Sequence, residues 1–290
     1  MIDFGRELIN LNDTNLIDKN TIGPKAYRLA ELKNIGLNVP NAFFISSVVF
    51  DEFILQSEEL QELITKLIKS EDLEDRLKIA DEVKKNIMKV EFPEKMRIKI
   101  MQKFEENKFS KVSVRSAALC EDTKNLSFAG QFKTFLNVEK EQIIESIKKC
   151  WASLFSKQVM LYAYYNNIDF HELKMSVIIQ EMIQAEKAGV MFTKNIKNGN
   201  VNELLIEFSN GLCENIVSGI VNPSIIIIEK KSGKILQKKL INKNSISDKE
   251  IKLIYEAGLK IEKNYGSPQD IEWSILRNKL FILQTRPITT

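Results

Sequence analysis

Histidine is almost absent from this chain of 290 residues, in which His171 is the single one. A mechanism that needs two histidines, or a histidine beside a histidine-ligated metal, is therefore excluded. Cysteine is also scarce, since the chain has only Cys120, Cys150 and Cys213. No two of them form a CxxC motif, and with an odd number at least one cysteine has no partner for an intramolecular disulfide. This pattern argues against a disulfide framework or a structural zinc site, and it fits a reducing cytoplasm.

Long hydrophobic runs are missing as well. The longest apolar stretches, 42–50 and 225–228, are too short to cross a bilayer, and the first residues carry charge without the apolar core of a secretory signal. The 42 basic and 39 acidic residues alternate along the chain and give a net charge of +3. We therefore expect a cytoplasmic protein that binds neither a membrane nor nucleic acid.

The common glycine-rich phosphate loops are absent too, since the chain contains neither GxxxxGK[ST] nor GxGxxG. Only 11 glycines and 6 prolines occur, and no repeat or low-complexity linker interrupts the chain. The length suits one large domain or two subdomains with a substantial core.

Hydrophobic periodicity predicts mainly helices before about residue 110 and mainly strands after it. A helix is expected over 24–35, with Pro24 in its first turn and Gly36 at its end, and amphipathic helices are expected over 57–109. Short strands are predicted at 111–116, 134–138, 176–182, 188–193, 203–208 and 224–230, with helices near 140–167 and 247–264. This interleaving predicts an α+β protein with two lobes, approximately 1–175 and 176–290.

The last twenty residues read as a β-hairpin whose two alternating runs flank a loop at 277–279. Pairing Leu276 with Leu280 places four polar side chains on one face of the hairpin: Asp270, Glu272, Gln284 and Arg286. The opposite, core face is predicted to hold Ile271, Trp273, Ile275, Phe281 and Leu283. Two acids, an amide and an arginine suit a magnesium–polyphosphate site, although a salt bridge on a solvated sheet face would show the same pattern.

Two single cations and one loop are weaker candidates. Arg115 ends an apolar strand and enters a loop of small residues, where its charge could face a ligand. Lys25 is a lone cation, and the loop 127–131 has one glycine that would let its backbone approach a phosphate. Single cations are usually solvated, and a loop with one glycine is not specific for phosphate, so none of these features alone indicates a site.

Six segments together carry a family resemblance, and they lie at 23–50, 112–138, 150–169, 177–193, 211–224 and 265–289. In this order they resemble the ATP-binding domain of the phosphoenolpyruvate synthase and pyruvate phosphate dikinase family. Rifamycin phosphotransferases and glucan water dikinases belong to the same group. The resemblance implies an ATP-grasp-like α+β fold in which Mg·ATP lies between two lobes.

The resemblance also assigns residues. Lys25 looks like the lysine that contacts the nucleotide phosphates, and Arg115 like the arginine that stabilises the transferring phosphoryl group. The loop that closes over the phosphates matches Gly130, Gln131 and Thr134, and the strand that reads the adenine through its backbone matches Gln180, Glu181 and Met182. The triphosphate and metal cluster matches Asp270 and Arg286, with Glu272 and Gln284 on the Mg²⁺ ion.

Three positions depart from the family pattern. Pro24 replaces a glycine beside Lys25, Ala117 replaces a serine after Arg115, and Cys213 stands in a glycine position that could require positive φ. None of them removes a charged group, so we expect effects on affinity and loop closure more than on the reaction type.

The reaction implied by the resemblance is pyrophosphoryl transfer. A histidine on a partner domain or separate subunit attacks the β-phosphorus of ATP and AMP leaves, while Lys25, Arg115, Arg286 and Mg²⁺ neutralise charge. His171 matches no relay motif and is expected to be an ordinary surface or structural residue. Two alternatives are a module that senses ATP without transfer and an ATP-grasp ligase that joins a carboxylate to an amine.

Overall fold

The computed structural model describes residues 7–13, 18–121, 131–212, 216, 219, 221–241 and 245–288. The chain divides into two compact units, each built around its own antiparallel sheet. The first unit comprises Met1–Ala30 and Asn41–Met182, and the second comprises Glu31–Pro40 and Ile183–Thr290. Helices and antiparallel strands occur in one chain, which confirms the predicted α+β class.

The sheet of the first unit has the strand order β1-β2-β5-β3-β4. Its strands are β1 (Leu8–Asn10), β2 (Ala42–Ile45), β3 (Val112–Ala118), β4 (Thr134–Val138) and β5 (Met175–Glu181). The helices up to residue 165 are α1 (Lys19–Asn34), α2 (Ser47–Leu55), α3 (Glu58–Lys69), α4 (Leu73–Lys89), α5 (Glu94–Glu106), α6 (Ile143–Ser153) and α7 (Lys157–Tyr165).

One face of this sheet forms the main hydrophobic core. Val112 and Val114 of β3 and Val177 and Ile179 of β5 are fully buried in a cluster with apolar residues of α2 to α7, including Trp151. Because neighbouring residues of a strand point to opposite faces, Ser113 and Arg115 of β3 lie on the other side. The alternation of β3 therefore places the side chains of Ser113 and Arg115 on the sheet face opposite the hydrophobic core.

Gly23 interrupts α1 with a non-helical backbone at φ 78° and ψ 160°. A Cβ atom at this position would lie 2.9 Å from the carbonyl oxygen of Ala117 and 3.2 Å from that of Ala118. Both the positive φ and the close approach to β3 require glycine here. Pro24 then begins the continuous part of the helix, as predicted, and Lys25 follows directly against the end of β3.

The sheet of the second unit has the strand order β11-β10-β6-β7-β8-β9. Its strands are β6 (Lys187–Phe192), β7 (Glu203–Asn210), β8 (Ser224–Glu229), β9 (Ile235–Lys239), β10 (Gln269–Leu276) and β11 (Lys279–Pro287). Helix α8 (Asp248–Tyr265) packs on this sheet so closely that a Cβ atom on Gly258 would lie 2.7 Å from Sδ of Met191. Within the described ranges, no helix has both the length and the hydropathy required to span a bilayer.

The β10–β11 hairpin corrects part of the prediction. Its turn holds two residues, Arg277 and Asn278, both with positive φ (51° and 60°), as a type I′ turn requires. Leu276 therefore pairs with Lys279 and not with Leu280. A register shift between Glu272 and Trp273 then restores the predicted pairs, in which Glu272 faces Gln284 and Asp270 faces Arg286.

The shorter turn also changes the core face of β11. Leu280 and Ile282 are buried opposite Ile275 and Trp273, so the prediction that Phe281 and Leu283 face the core was wrong. Phe281 instead lies opposite Ser274 on the other face and is half-buried, as is Leu283 at the register shift. The predicted core residues of β10 (Ile271, Trp273 and Ile275) are fully buried.

Helix α8 is held at its start by a buried ion pair. Glu250 forms a capping box with Ser247, and its carboxylate lies 2.6 Å from Nζ of Lys187 on β6. Burial raises the pKa of Glu250, but the hydrogen bonds from Lys187 and Ser247 outweigh burial and leave this pKa below its usual value. The ionised carboxylate is therefore favoured by folding.

We expect Glu250→Gln to lower the free energy of unfolding by about 3 kcal/mol at neutral pH, because it leaves Lys187 without its buried counter-charge. A lowered pKa stabilises the fold above the unfolded value of about 4.3, so the difference from wild type should shrink as the pH falls below about 4.3 and through the lower pKa of the folded protein. The difference in the free energy of unfolding is measured by urea unfolding in a Trp151→Phe background, followed by the fluorescence of Trp273. A difference that stays constant over this range would contradict the assignment.

Candidate functional site

Lys25 lies in a buried ion pair in the first unit. Its Nζ is 2.9 Å from Oε1 of Glu121 and donates a hydrogen bond of 3.2 Å to the carbonyl oxygen of Ser116. The two side chains are 12% and 7% exposed. The predicted phosphate-binding lysine is thus held at a defined position by groups at the end of β3 and just beyond it.

Arg115 is buried on the same strand, on the face opposite the hydrophobic core. It is 7% exposed, and its Nη1 donates a hydrogen bond of 3.0 Å to Oε1 of Gln180 on β5. Across the sheet it pairs with Thr134 of β4 and Ile178 of β5. The structure therefore brings together Arg115, Thr134 and Gln180, which the sequence places far apart.

Two amide groups beside these residues have buried atoms that lack a hydrogen bond. Nε2 of Gln180 and Oε1 of Gln131 have no partner among the described residues. A buried polar atom without a partner costs free energy, so such atoms are expected where a ligand supplies the missing group. Thr134 is exposed at the start of β4, and Gly130, the remaining residue predicted for this loop, lies outside the described residues.

Two backbone N–H groups at the end of the predicted adenine-binding strand form hydrogen bonds within the protein. The N–H of Glu181 donates to the carbonyl of Asn41 at 2.8 Å, and the N–H of Met182 donates to the carbonyl of Lys111 at 3.1 Å. Both donors are thus engaged inside the protein. Reading of the base by the N–H groups of these two residues would require those bonds to be released.

In the second unit, Arg286 and Asp270 form an ion pair across β10 and β11. Nε and Nη2 of Arg286 lie 2.8 Å and 2.7 Å from the same oxygen, Oδ2 of Asp270. Glu272 and Gln284 face each other two pairs further along the hairpin, beyond the pair of Ile271 and Thr285. All four residues predicted for one face therefore lie close together on the hairpin, and the carboxylate of Asp270 holds the guanidinium of Arg286.

Glu272 and Gln284 fit a magnesium ion by their chemistry. Mg²⁺ prefers oxygen ligands and usually takes one or two from the protein, with water and phosphate oxygens completing the octahedron. Among the residues that the structure describes, no group of three or more His, Cys, Asp or Glu side chains could hold a metal. The pair on the hairpin would supply two of the six ligands of a magnesium ion, and water or phosphate oxygens would supply the others.

The sequence analysis did not identify two carboxylates, one that pairs with Lys25 and one that lies in the same sheet row as Glu272. Glu121 follows β3 and pairs with Lys25. Glu207 shares a sheet row with Glu272, since both pair with Val190, and it forms a 2.7 Å ion pair with Lys197. Glu121 stands six residues after Arg115, but no local signal connects it to Lys25. Glu207 interrupts an apolar strand, but its place in the same row as Glu272 depends on the strand order of the sheet.

Burial makes two thiols unreactive. It raises the pKa of Cys120 and of Cys150 to about 12 each. At neutral pH only about one molecule in 10⁵ would carry either thiolate. Iodoacetamide should therefore label Cys120 and Cys150 in urea but not in the folded protein, as peptide mass spectrometry can show. Labelling of either residue under native conditions would contradict this burial. Cys213 lies outside the described residues.

Comparison with known proteins gives a family match over almost the whole chain. The family described as pyruvate phosphate dikinase, AMP/ATP-binding domain, matches residues 19–245 and 239–290. A probable phosphoenolpyruvate synthase of Methanothermobacter thermautotrophicus is 35% identical over 306 residues, covering 94% of this chain and 44% of the relative. Rifampicin phosphotransferase of Bacillus subtilis is 31% identical over 315 residues, covering 98% of this chain and 36% of the relative.

The chain spans less than half the length of these relatives. Among solved structures, D-alanyl-alanine synthetase A of Vibrio cholerae is similar over 91% of this chain and 54% of that chain. It has 11% identity and a TM-score of 0.41. This structural similarity is too low to support any statement about activity.

Proposed function

Because the chain belongs to the pyruvate phosphate dikinase AMP/ATP-binding domain family, we propose that it is the ATP-binding catalytic domain or subunit of a dikinase-type phosphotransferase. The observation that carries the proposal is the buried Arg115, which is held by Gln180 on the sheet face opposite the core. A guanidinium in this position supplies fixed positive charge for a transferring phosphoryl group.

The residues have distinct proposed roles. Lys25 and Arg115 contact the phosphates, together with Gln131, Thr134 and Gly130. The adenine lies against Gln180, Glu181 and Met182. Arg286, oriented by Asp270, contacts the triphosphate, while Glu272 and Gln284 hold Mg²⁺, which neutralises phosphate charge. Nε2 of Gln180, which has no hydrogen-bond partner in the described part of the chain, supports this assignment, since a ligand oxygen would satisfy it.

The proposed reaction transfers a pyrophosphoryl group to a histidine on a partner. The imidazole nitrogen attacks the β-phosphorus, the bond to the α,β-bridging oxygen breaks, and AMP leaves with that oxygen. Release of the γ-phosphate to water then leaves a phosphohistidine that can phosphorylate an acceptor. The partner is a further domain or a separate chain, as the greater length of the relatives suggests. We place the reaction in the cytoplasm, where ATP is available and thiols stay reduced.

The nucleotide product distinguishes the possible activities. We would incubate the chain with Mg·ATP and a purified histidine-bearing domain of a phosphoenolpyruvate synthase, and separate the products by anion-exchange chromatography. AMP that forms only with this domain, and not with its histidine-to-alanine variant, is the expected result. ADP would indicate ligase or ordinary kinase chemistry. Binding without any product would favour an ATP sensor.

A further inference from the structure

We propose that Glu121 is a positioning residue for Lys25. Together with the carbonyl of Ser116, it fixes the ammonium group so that the remaining N–H points to a phosphate oxygen of the nucleotide. This inference rests on the proposed binding of ATP, and it adds a residue to which neither the sequence nor the family match gave a role.

The geometry leaves one donor of Lys25 for a ligand. An ammonium group has three N–H donors. One donates to Ser116 and a second points to Glu121, at 3.2 Å and 2.9 Å. Lys25 has no third hydrogen-bond partner in the described part of the chain. With two donors fixed, the direction of the third is fixed as well.

Fixing the side chain in advance favours binding. A lysine has four rotatable side-chain bonds, and a ligand that must order them loses binding free energy. Glu121 and Ser116 order this side chain before the ligand arrives. The backbone helps too, because Gly23 brings the start of the helix against the carbonyl of Ala117, next to Ser116.

The effect of removing the charge of Glu121 on ATP binding depends on how this residue acts. A carboxylate near a phosphate repels it, so Glu121→Gln should strengthen binding if only the summed charge mattered. If Glu121 acts by holding Lys25, the same substitution should weaken binding. The sign of the change therefore separates the two explanations.

The test is calorimetric titration of Mg·ATP into wild type, Glu121→Gln, Lys25→Met and the double variant. We expect Glu121→Gln to raise Kd about tenfold. This factor corresponds to losing one oriented, charge-assisted hydrogen bond between Lys25 and the nucleotide. In the Lys25→Met background the same substitution should change Kd less than about twofold, because Glu121 then has nothing to position. An unchanged or lower Kd for Glu121→Gln overturns the inference.

The second unit offers a matched control. Lys187 and Glu250 form a comparable buried ion pair at 2.6 Å, and neither is proposed to contact ATP. Glu250→Gln should lower the thermal stability but leave Kd unchanged, so loss of a buried ion pair by itself would not explain a weaker Kd in Glu121→Gln.

The folding of each variant can be followed separately, since Trp151 reports on the first unit and Trp273 on the second. If Glu121→Gln does not fold, Glu121→Asp keeps the charge but is one methylene shorter, and it should raise Kd by a smaller factor. A wild-type Kd in Glu121→Asp would then overturn the inference. Absence of binding to folded wild type would instead refute the proposed function.

Discussion

Replacing Arg115 with alanine should slow AMP formation about a thousandfold or more, while Kd for Mg·ATP rises less than about tenfold. The guanidinium is buried and held by Gln180, so its charge is already placed before the phosphoryl group moves. Charge that is stabilised mainly in the transition state affects the rate more than the binding. The rate is measured as AMP released in the presence of the histidine-bearing partner.

The matched control for this experiment is Arg97→Ala. Arg97 is an exposed arginine of α5, paired with Glu94 at 2.8 Å, and it is not among the residues proposed to bind ATP. Its loss should leave the rate of AMP formation unchanged. If Arg115→Ala, folded as judged by Trp151 fluorescence, retains a rate within about tenfold of wild type, the role proposed for Arg115 is wrong.

Replacing Glu272 with alanine should weaken binding of Mg·ATP at least tenfold, whereas binding of metal-free ATP should stay the same or become slightly stronger, because a carboxylate near the phosphates repels them. Glu272 and Gln284 are the proposed protein ligands of the metal, and Glu272 is the one that carries charge. Its loss should remove the gain in affinity that Mg²⁺ provides. Calorimetric titration with ATP, with and without excess Mg²⁺, gives both constants.

Glu229→Ala is the control for Glu272→Ala. Glu229 is a carboxylate of β8 in the same sheet, three strands away from β10 in the order of the sheet. Its replacement should leave the Mg²⁺-dependent gain in affinity intact. An equal loss of affinity for ATP with and without the metal in Glu272→Ala would show that Glu272 does not act through Mg²⁺.

The sequence predicted much of the fold where a strand or helix has one buried face. The hairpin pairs Asp270–Arg286 and Glu272–Gln284 were correct, although the loop was taken as one residue too long. The register shift beside Trp273 compensated for that error, and alternation alone cannot reveal such a shift. The strand β9 was missed because all five of its residues are exposed, so it has no apolar face to recognise.

The contacts within the candidate site could not be predicted from the sequence pattern. Lys25 and Arg115 were assigned through the family resemblance, because single cations carry no periodic signal. Their partners depend on contacts between distant parts of the chain, because Lys25 and Ser116 differ by 91 in residue number and Arg115 and Gln180 by 65. Such contacts follow from strand order in the sheet, which the pattern of one sequence does not determine.

We propose that this chain binds Mg·ATP through its own residues. Calorimetric titration of ATP, ADP and AMP into the purified chain, with and without Mg²⁺, measures this binding. We predict saturable one-to-one binding of ATP that Mg²⁺ strengthens, and weaker binding of AMP, which lacks the β- and γ-phosphates. Absence of ATP binding to a chain whose Trp151 and Trp273 fluorescence shows both units folded would refute the proposed ATP site.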